Sequence, residues 1–75
     1  MRYYFDIRDD FFAVSDDEGA EHASVEAARK EAIATVTSIA RDVFASKGSQ
    51  VTVTVRTEDG PLFEMTVTLG LKELG

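Results

Sequence analysis

The feature that most constrains this chain is one segment of helical periodicity that lies between two pairs of alternating segments. In residues 25–44 apolar side chains recur every three or four positions, which is typical of an amphipathic helix. Ser24 is a favourable N-cap, and Gly48 after Lys47 is expected to be the C′ glycine that ends the helix. The expected apolar stripe comprises Val25, Ala28, Ala32, Ile33, Val36, Ile39, Ala40, Val43 and Phe44.

Four short segments alternate between apolar and polar residues, as strands with one buried face do. They are residues 2–8, 11–14, 50–57 and 62–69. Two polar turns, at residues 9–10 and 58–61, join them into hairpins. The apolar row expected beneath the helix is Tyr3, Phe5, Ile7, Val51, Val53, Val55, Phe63, Met65, Val67 and Leu69.

These elements predict a single α+β domain over residues 1–75, with a two-layer ββαββ fold. A four-stranded antiparallel sheet has one face to cover, and the single amphipathic helix covers it. A right-handed crossover through the helix makes the second and third strands run in the same direction. With the first strand between them, the expected order is 2-1-3-4, and order 2-1-4-3 stays open.

Composition excludes several functional classes. The net charge of −6 opposes nucleic-acid binding, because such binding depends on Lys and Arg at phosphates. The chain has no cysteine, which excludes disulfides and thiolate metal sites and agrees with a cytoplasmic location. No apolar run approaches the about 20 residues of a membrane span, so no membrane partner is expected.

The acidic segment 16–22 is the densest group of possible metal ligands. Its weak candidates for a hard cation are Asp16, Asp17, Glu18, Glu21 and His22. Their spacing does not match an EF-hand, and a solvated turn at Gly19 is the expected structure. His22 is expected to be exposed just before the helix. No catalytic residue, cofactor or enzymatic activity is expected, because no nucleophile and base can be paired from their spacing.

The face of the sheet opposite the helix carries Tyr4, Arg8 and Arg56. An aromatic ring with two guanidinium groups could stack a base or bind a carboxylate. Asp6 and Glu64 lie on the same face, however, and pairing of these acids with the arginines across strands is the preferred interpretation.

Four apolar residues are candidates for an interface. Phe11 and Phe12 are adjacent, so in a strand they point to opposite faces and one of them is exposed. Leu71 and Leu74 follow Gly70 in the tail. In so small a domain, these residues favour a homodimer. The alternative is a tail that folds back over its own sheet.

Three segments form distinctive motifs: R-Y-Y-F-D-I-R-D at residues 2–9, D-D-E-G-A-E at 16–21 and S-V-E-A-A-R-K-E-A at 24–32. In these segments the chain resembles a family of small bacterial proteins that is known as a domain of unknown function. The resemblance covers nearly the whole chain and implies a stand-alone bacterial protein. It implies no activity and no functional residues.

The function expected from these observations is that of a small non-enzymatic interaction module that forms a homodimer. One alternative is an acidic, antitoxin-like protein that neutralises a basic protein partner. Another is a domain that binds a small molecule or a cation.

Overall fold

The long strands form where apolar and polar residues alternate, and the helix forms where apolar residues recur every three or four positions. A computed structural model describes the whole chain, residues 1–75. The elements are β1 (Arg2–Asp9), β2 (Ala13–Val14), β3 (Ala20–Glu21), α1 (Val25–Ala45), β4 (Gln50–Thr57) and β5 (Gly60–Thr68). The predicted α+β class, with one helix and an antiparallel sheet, is confirmed.

The sheet has the order β2-β1-β4-β5, with all neighbours antiparallel. This is the preferred order 2-1-3-4 for the four predicted strands. The structure adds the short strand β3, which pairs with Arg2 and Tyr3 at the beginning of β1. The edge of β1 that faces away from β4 is therefore covered in two pieces, by β2 at one end and by β3 at the other.

The second strand is shorter than predicted, because the side chain of Asp9 extends the preceding turn. Asp9 Oδ1 accepts hydrogen bonds from the N–H groups of Phe11 (2.7 Å) and Phe12 (2.8 Å). The N–H of Asp9 donates to the carbonyl of Phe12 at 2.8 Å. Phe11 and Phe12 therefore lie in the turn, and their predicted placement on opposite faces of a strand is wrong.

The predicted N-cap of α1 is present, since the N–H of Ala27 donates to Ser24 Oγ at 3.1 Å. No helix in the structure has the combination of length and apolar character that would let it cross a membrane.

The prediction for the other end of α1 is wrong by one residue. The left-handed C′ position belongs to Lys47, at φ +71°, and Gly48 follows it. The N–H of Gly48 donates to the carbonyl of Val43 at 2.8 Å and that of Lys47 to Phe44 at 3.2 Å, which is a Schellman motif. Gly48 does not have a positive φ, and a side chain is excluded there for a steric reason. A Cβ at this position would lie 2.3 Å from Val43 Cγ1.

The core lies between α1 and the sheet, as predicted, and consists of small side chains with one tyrosine. Its buried residues are Tyr3, Ala28, Ala32, Val36, Ala40, Val43, Val51, Val53 and Val55. Three residues of the predicted apolar rows, Val25, Ile33 and Leu69, are exposed. No phenylalanine, leucine, isoleucine or methionine is fully buried.

Candidate functional site

Asp16, the first candidate ligand, lies between β2 and β3, where it replaces missing backbone pairing. Its Oδ2 accepts from the N–H of Phe5 at 3.1 Å, and its Oδ1 accepts from Glu18 (3.1 Å) and Gly19 (3.0 Å). The hydrogen bond from Gly19, followed by those from Phe5 and Glu18, holds the pKa of the Asp16 carboxyl below its ordinary value against the opposing effect of burial. The carboxylate stabilises the loop.

The other acidic candidates do not converge on Asp16. Asp17 and Glu18 are exposed, and Glu21 lies 3.1 Å from the terminal amino group of Met1. No group of three or more histidine, aspartate or glutamate side chains is arranged to hold a metal ion. The structure therefore does not bring the five predicted ligands together.

His22 is half-buried, so its predicted exposure is wrong. The pairing of β3 with β1 places the imidazole against two rings, at centroid distances of 6.0 Å from Tyr3 and 5.7 Å from Phe5. Both contacts are edge-to-face, a favourable geometry for aromatic pairs. Nε2 is buried without a hydrogen-bond partner. The ring thus extends the core at the beginning of β1.

On the open face of the sheet, which is the face opposite the helix, Arg56 and Tyr4 lie next to each other. The guanidinium of Arg56 is hydrogen-bonded to Asp6. Arg56 Nε donates to Asp6 Oδ2 at 2.7 Å, and its carbon Cζ lies 4.6 Å from the centroid of the Tyr4 ring. A further Arg56 N–H donates to the carbonyl of Asp16 at 2.6 Å. The hydrogen bond from Arg56 lowers the pKa of Asp6, and the same contact raises that of Arg56. This is the cross-strand pairing that was preferred for Arg56.

Arg8, the third open-face candidate, lies apart from this pair. It is opposite Thr52, whereas Tyr4 is opposite Arg56. Four strand positions separate the two sites, or about 13 Å at the usual rise per residue. Arg8 is exposed, and a binding site that uses both arginines with Tyr4 does not form.

The surface concavities are small, and most of their lining residues are polar. The largest has a volume of about 280 Å³, and only one of its six lining residues is hydrophobic. Pockets for small organic ligands usually hold about 300–1,000 Å³ and are mostly apolar. These concavities do not favour the small-molecule alternative.

The four interface candidates are exposed: Phe11 by 54%, Phe12 by 73%, Leu71 by 77% and Leu74 by 87%. Residues 68–75 are exposed throughout, so the alternative of a tail folded over the sheet is wrong.

Hydrogen bonds bring the turn after β1 and the start of the tail to the same end of the molecule. Asp10 Oδ1 accepts from the N–H of Ser49 at 2.9 Å, and the N–H of Leu69 donates to the carbonyl of Ser49 at 2.8 Å. The backbone N–H and hydroxyl of Ser49, followed by the N–H of Gln50, lower the pKa of Asp10.

The model of a family described as a domain of unknown function, DUF6894, matches residues 2–68. The chain belongs to the DUF6894 family. The resemblance to a domain of unknown function is confirmed, while the bacterial origin stays a prediction. The comparisons with curated proteins and with solved structures found no match. The DUF6894 match includes every strand and the helix, and it ends before Leu71 and Leu74.

The free edge of β5 is a feature of this DUF6894 domain that was not among the residues predicted to form an interface. That strand ends the order β2-β1-β4-β5, so its second edge has no partner. Phe63, Met65 and Val67 on this strand are only half-buried. The preferred strand order already placed the last strand at an edge, and that was the available signal.

Proposed function

We propose that this DUF6894 domain is a small non-enzymatic interaction module that forms a homodimer. The distribution of large apolar side chains carries the proposal. The buried hydrophobic positions are filled by alanine, valine and one tyrosine, and ten large hydrophobic residues are exposed. A monomer that leaves several of its largest apolar side chains at the surface has an energetic reason to cover them.

The size of the domain supports the same proposal. A chain of about 60–75 residues buries only about 60% of the surface that its unfolded state exposes. Burial of one large apolar side chain contributes about 1.5–3 kcal/mol. A second copy that covered a few of these residues would therefore add a substantial part of a small domain's stability.

The proposal includes the absence of catalysis. Asp6 and Asp16 have pKa values that differ from the ordinary one, as catalytic carboxylates often do. Both are already engaged by Arg56 or by backbone N–H groups, which leaves neither free to act as a general base. We further propose a cytoplasmic protein of bacterial origin, in agreement with the absence of cysteine.

Analytical ultracentrifugation from low to high micromolar concentration tests the proposal. A reversible dimer is the expected result, and a monomer at every concentration contradicts it. Calorimetry with Ca²⁺, Mg²⁺ and Mn²⁺ tests the cation alternative, and heat of binding would support that alternative. Co-purification of a small basic protein at one-to-one stoichiometry would instead support the antitoxin-like alternative.

A further inference from the structure

The two edges of the sheet differ in how they are covered. On the β1 edge, β2 pairs with Ile7 and Arg8, β3 pairs with Arg2 and Tyr3, and an aspartate side chain fills the gap between them. On the β5 edge, no strand, loop or side chain is paired with the nine residues of the strand. The β1 edge is covered within the monomer by strands of only two residues each, and the β5 edge is open along its length.

The open edge also lacks most features that prevent strands from pairing. Such features are lysine, proline, bulges and inward charges. In β5 they are confined to its beginning, where Pro61 lies and where a bulge falls between Val55 and Arg56 of β4. From Leu62 to Thr68 the strand carries one charge, that of Glu64. This stretch is chemically suited to accept another strand.

The direction of the backbone groups on this edge follows from one hydrogen bond. The N–H of Leu69 donates to the carbonyl of Ser49, which immediately precedes β4. Because the N–H and C=O of successive residues point to alternate sides of a strand, odd-numbered residues such as Met65 face β4. The residues whose N–H and C=O point outward are Glu64, Thr66 and Thr68, while Leu62 lies at the bulge and has no opposite residue on β4.

An apolar strip runs beside these outward-pointing groups on the helix side of the sheet. Phe63, Met65 and Val67 are half-buried there. Arg29 of α1 has its guanidinium carbon 5.8 Å from the centroid of the Phe63 ring, so this side of the helix overlooks β5. Ile33 follows Arg29 by one helical turn and is 50% exposed.

We propose that β5 pairs antiparallel with β5 of a second copy, about a two-fold axis at Met65. This inference rests on the proposed homodimer and assigns its interface. In this register Leu62 is opposite the partner's Thr68, and Glu64 is opposite the partner's Thr66. Glu64 and Thr66 of each copy then exchange backbone hydrogen bonds with the partner's Thr66 and Glu64, and both helices lie on the same side of one continuous sheet.

Neighbouring registers are less favourable. An axis at Glu64 would place two carboxylates directly opposite each other, which is destabilising. An axis at Thr66 would place Leu62 opposite the partner's Gly70, which lies beyond the end of the strand. A shift by one residue would pair helix-facing side chains with open-face ones. The occupant is therefore a second copy, because the row is complementary to itself about Met65.

The first test removes one outward-pointing donor. Thr66→Pro deletes an N–H that β4 does not use, and proline is tolerated at such edge positions. Thr66→Ala is the matched control, since it also loses the hydroxyl that lies 2.8 Å from Thr52 Oγ1 but keeps the N–H. Sedimentation is expected to show that Thr66→Pro raises the dimer Kd by about tenfold or more, and Thr66→Ala by less than about threefold.

The second test identifies the axis without depending on how Thr66→Pro folds. Met65 would face its own symmetry mate as a non-hydrogen-bonded pair, with Cα atoms about 4.5 Å apart, within the range of a disulfide. The chain has no cysteine, so Met65→Cys introduces a single thiol. Oxidation is expected to link Met65→Cys into a covalent dimer, while Leu62→Cys stays unlinked because six strand positions, or about 20 Å, separate the two copies.

The outcomes separate this inference from the proposed function. Cross-linking of Leu62→Cys in place of Met65→Cys, or a folded Thr66→Pro that dimerises like the unmodified chain, overturns the β5 interface. A dimer that Phe12→Ser disrupts and Thr66→Pro leaves intact also overturns it, while the homodimer itself stands. A monomeric unmodified chain overturns both.

Discussion

Lys47 is the one residue other than glycine that has a positive φ, at +71°. A side chain in the left-handed region costs about 1–2 kcal/mol, because its Cβ approaches the following carbonyl. The adjacent Gly48 is kept without a side chain by Val43, whose Cγ1 would lie 2.3 Å from an added Cβ. At this helix end, glycine therefore relieves crowding while lysine occupies the strained conformation.

Lys47→Gly is expected to stabilise the fold by about 0.5–1 kcal/mol. The stability increases because glycine adopts a positive φ without steric strain. The increase is smaller than the full strain energy, because glycine loses more conformational entropy than lysine when the chain folds. Urea unfolding at neutral pH measures it, and Lys72→Gly in the exposed tail is the control. Gly48→Ala should act in the opposite direction, by about 1–3 kcal/mol, as overpacking does. Equal stability of all these variants would contradict the interpretation.

At the scale of elements, the short strands β2 and β3 are supported by side-chain hydrogen bonds as well as by their own pairing. Each has two residues, and Asp16 bridges the gap between them by accepting the N–H of Phe5. Arg56 of β4 joins the same group through Asp6 and the carbonyl of Asp16. The covered edge of the sheet is therefore sensitive to the ionisation of two carboxylates.

Asp16→Asn is expected to destabilise the protein at neutral pH by about 1–2 kcal/mol, because one charged acceptor of three N–H groups is lost. The pKa of Asp16 is lowered from 3.8 on folding. Its contribution is therefore complete above that pH and is lost as the pH falls through the lower folded-state pKa. Unfolding of Asp16→Asn should depend less on pH in the acid range than that of the exposed control Asp17→Asn. Identical pH profiles would show that Asp16 does not act in this way.

Residue patterns predicted the elements that pack against one another over many positions. The alternating valines of β4 and the periodic helix have only one way to bury their apolar sides. The positions of Phe11, Phe12 and His22 were predicted wrongly, because they depend on single contacts of Asp9 and on the strand β3. The Arg56–Asp6 pair was predictable, because strand alternation places both side chains on the same face. The hydrogen bond from the N–H of Phe5 to Asp16, eleven residues away, was not predictable, because no helical or strand periodicity relates the two positions.

At the scale of the whole molecule, stability and association should be coupled. If dimerisation contributes to folding stability, the melting temperature rises with protein concentration, because mass action favours the associated native state. Differential scanning calorimetry over a concentration series measures this dependence. For Thr66→Pro, whose dimer is expected to be about tenfold weaker or more, the same rise should appear only at correspondingly higher protein concentration. A concentration-independent melting temperature for the unmodified chain would mean that association contributes nothing to its stability.

The unequal coverage of the two sheet edges has a consequence for how assembly ends. A protein whose sheet has two unpaired edges can form backbone hydrogen bonds with a further copy at each edge, and it can therefore assemble into filaments. Here β2, β3 and Asp16 already occupy one of the two edges. In the proposed dimer each molecule would pair through its one long open edge, so assembly would end once two copies have paired.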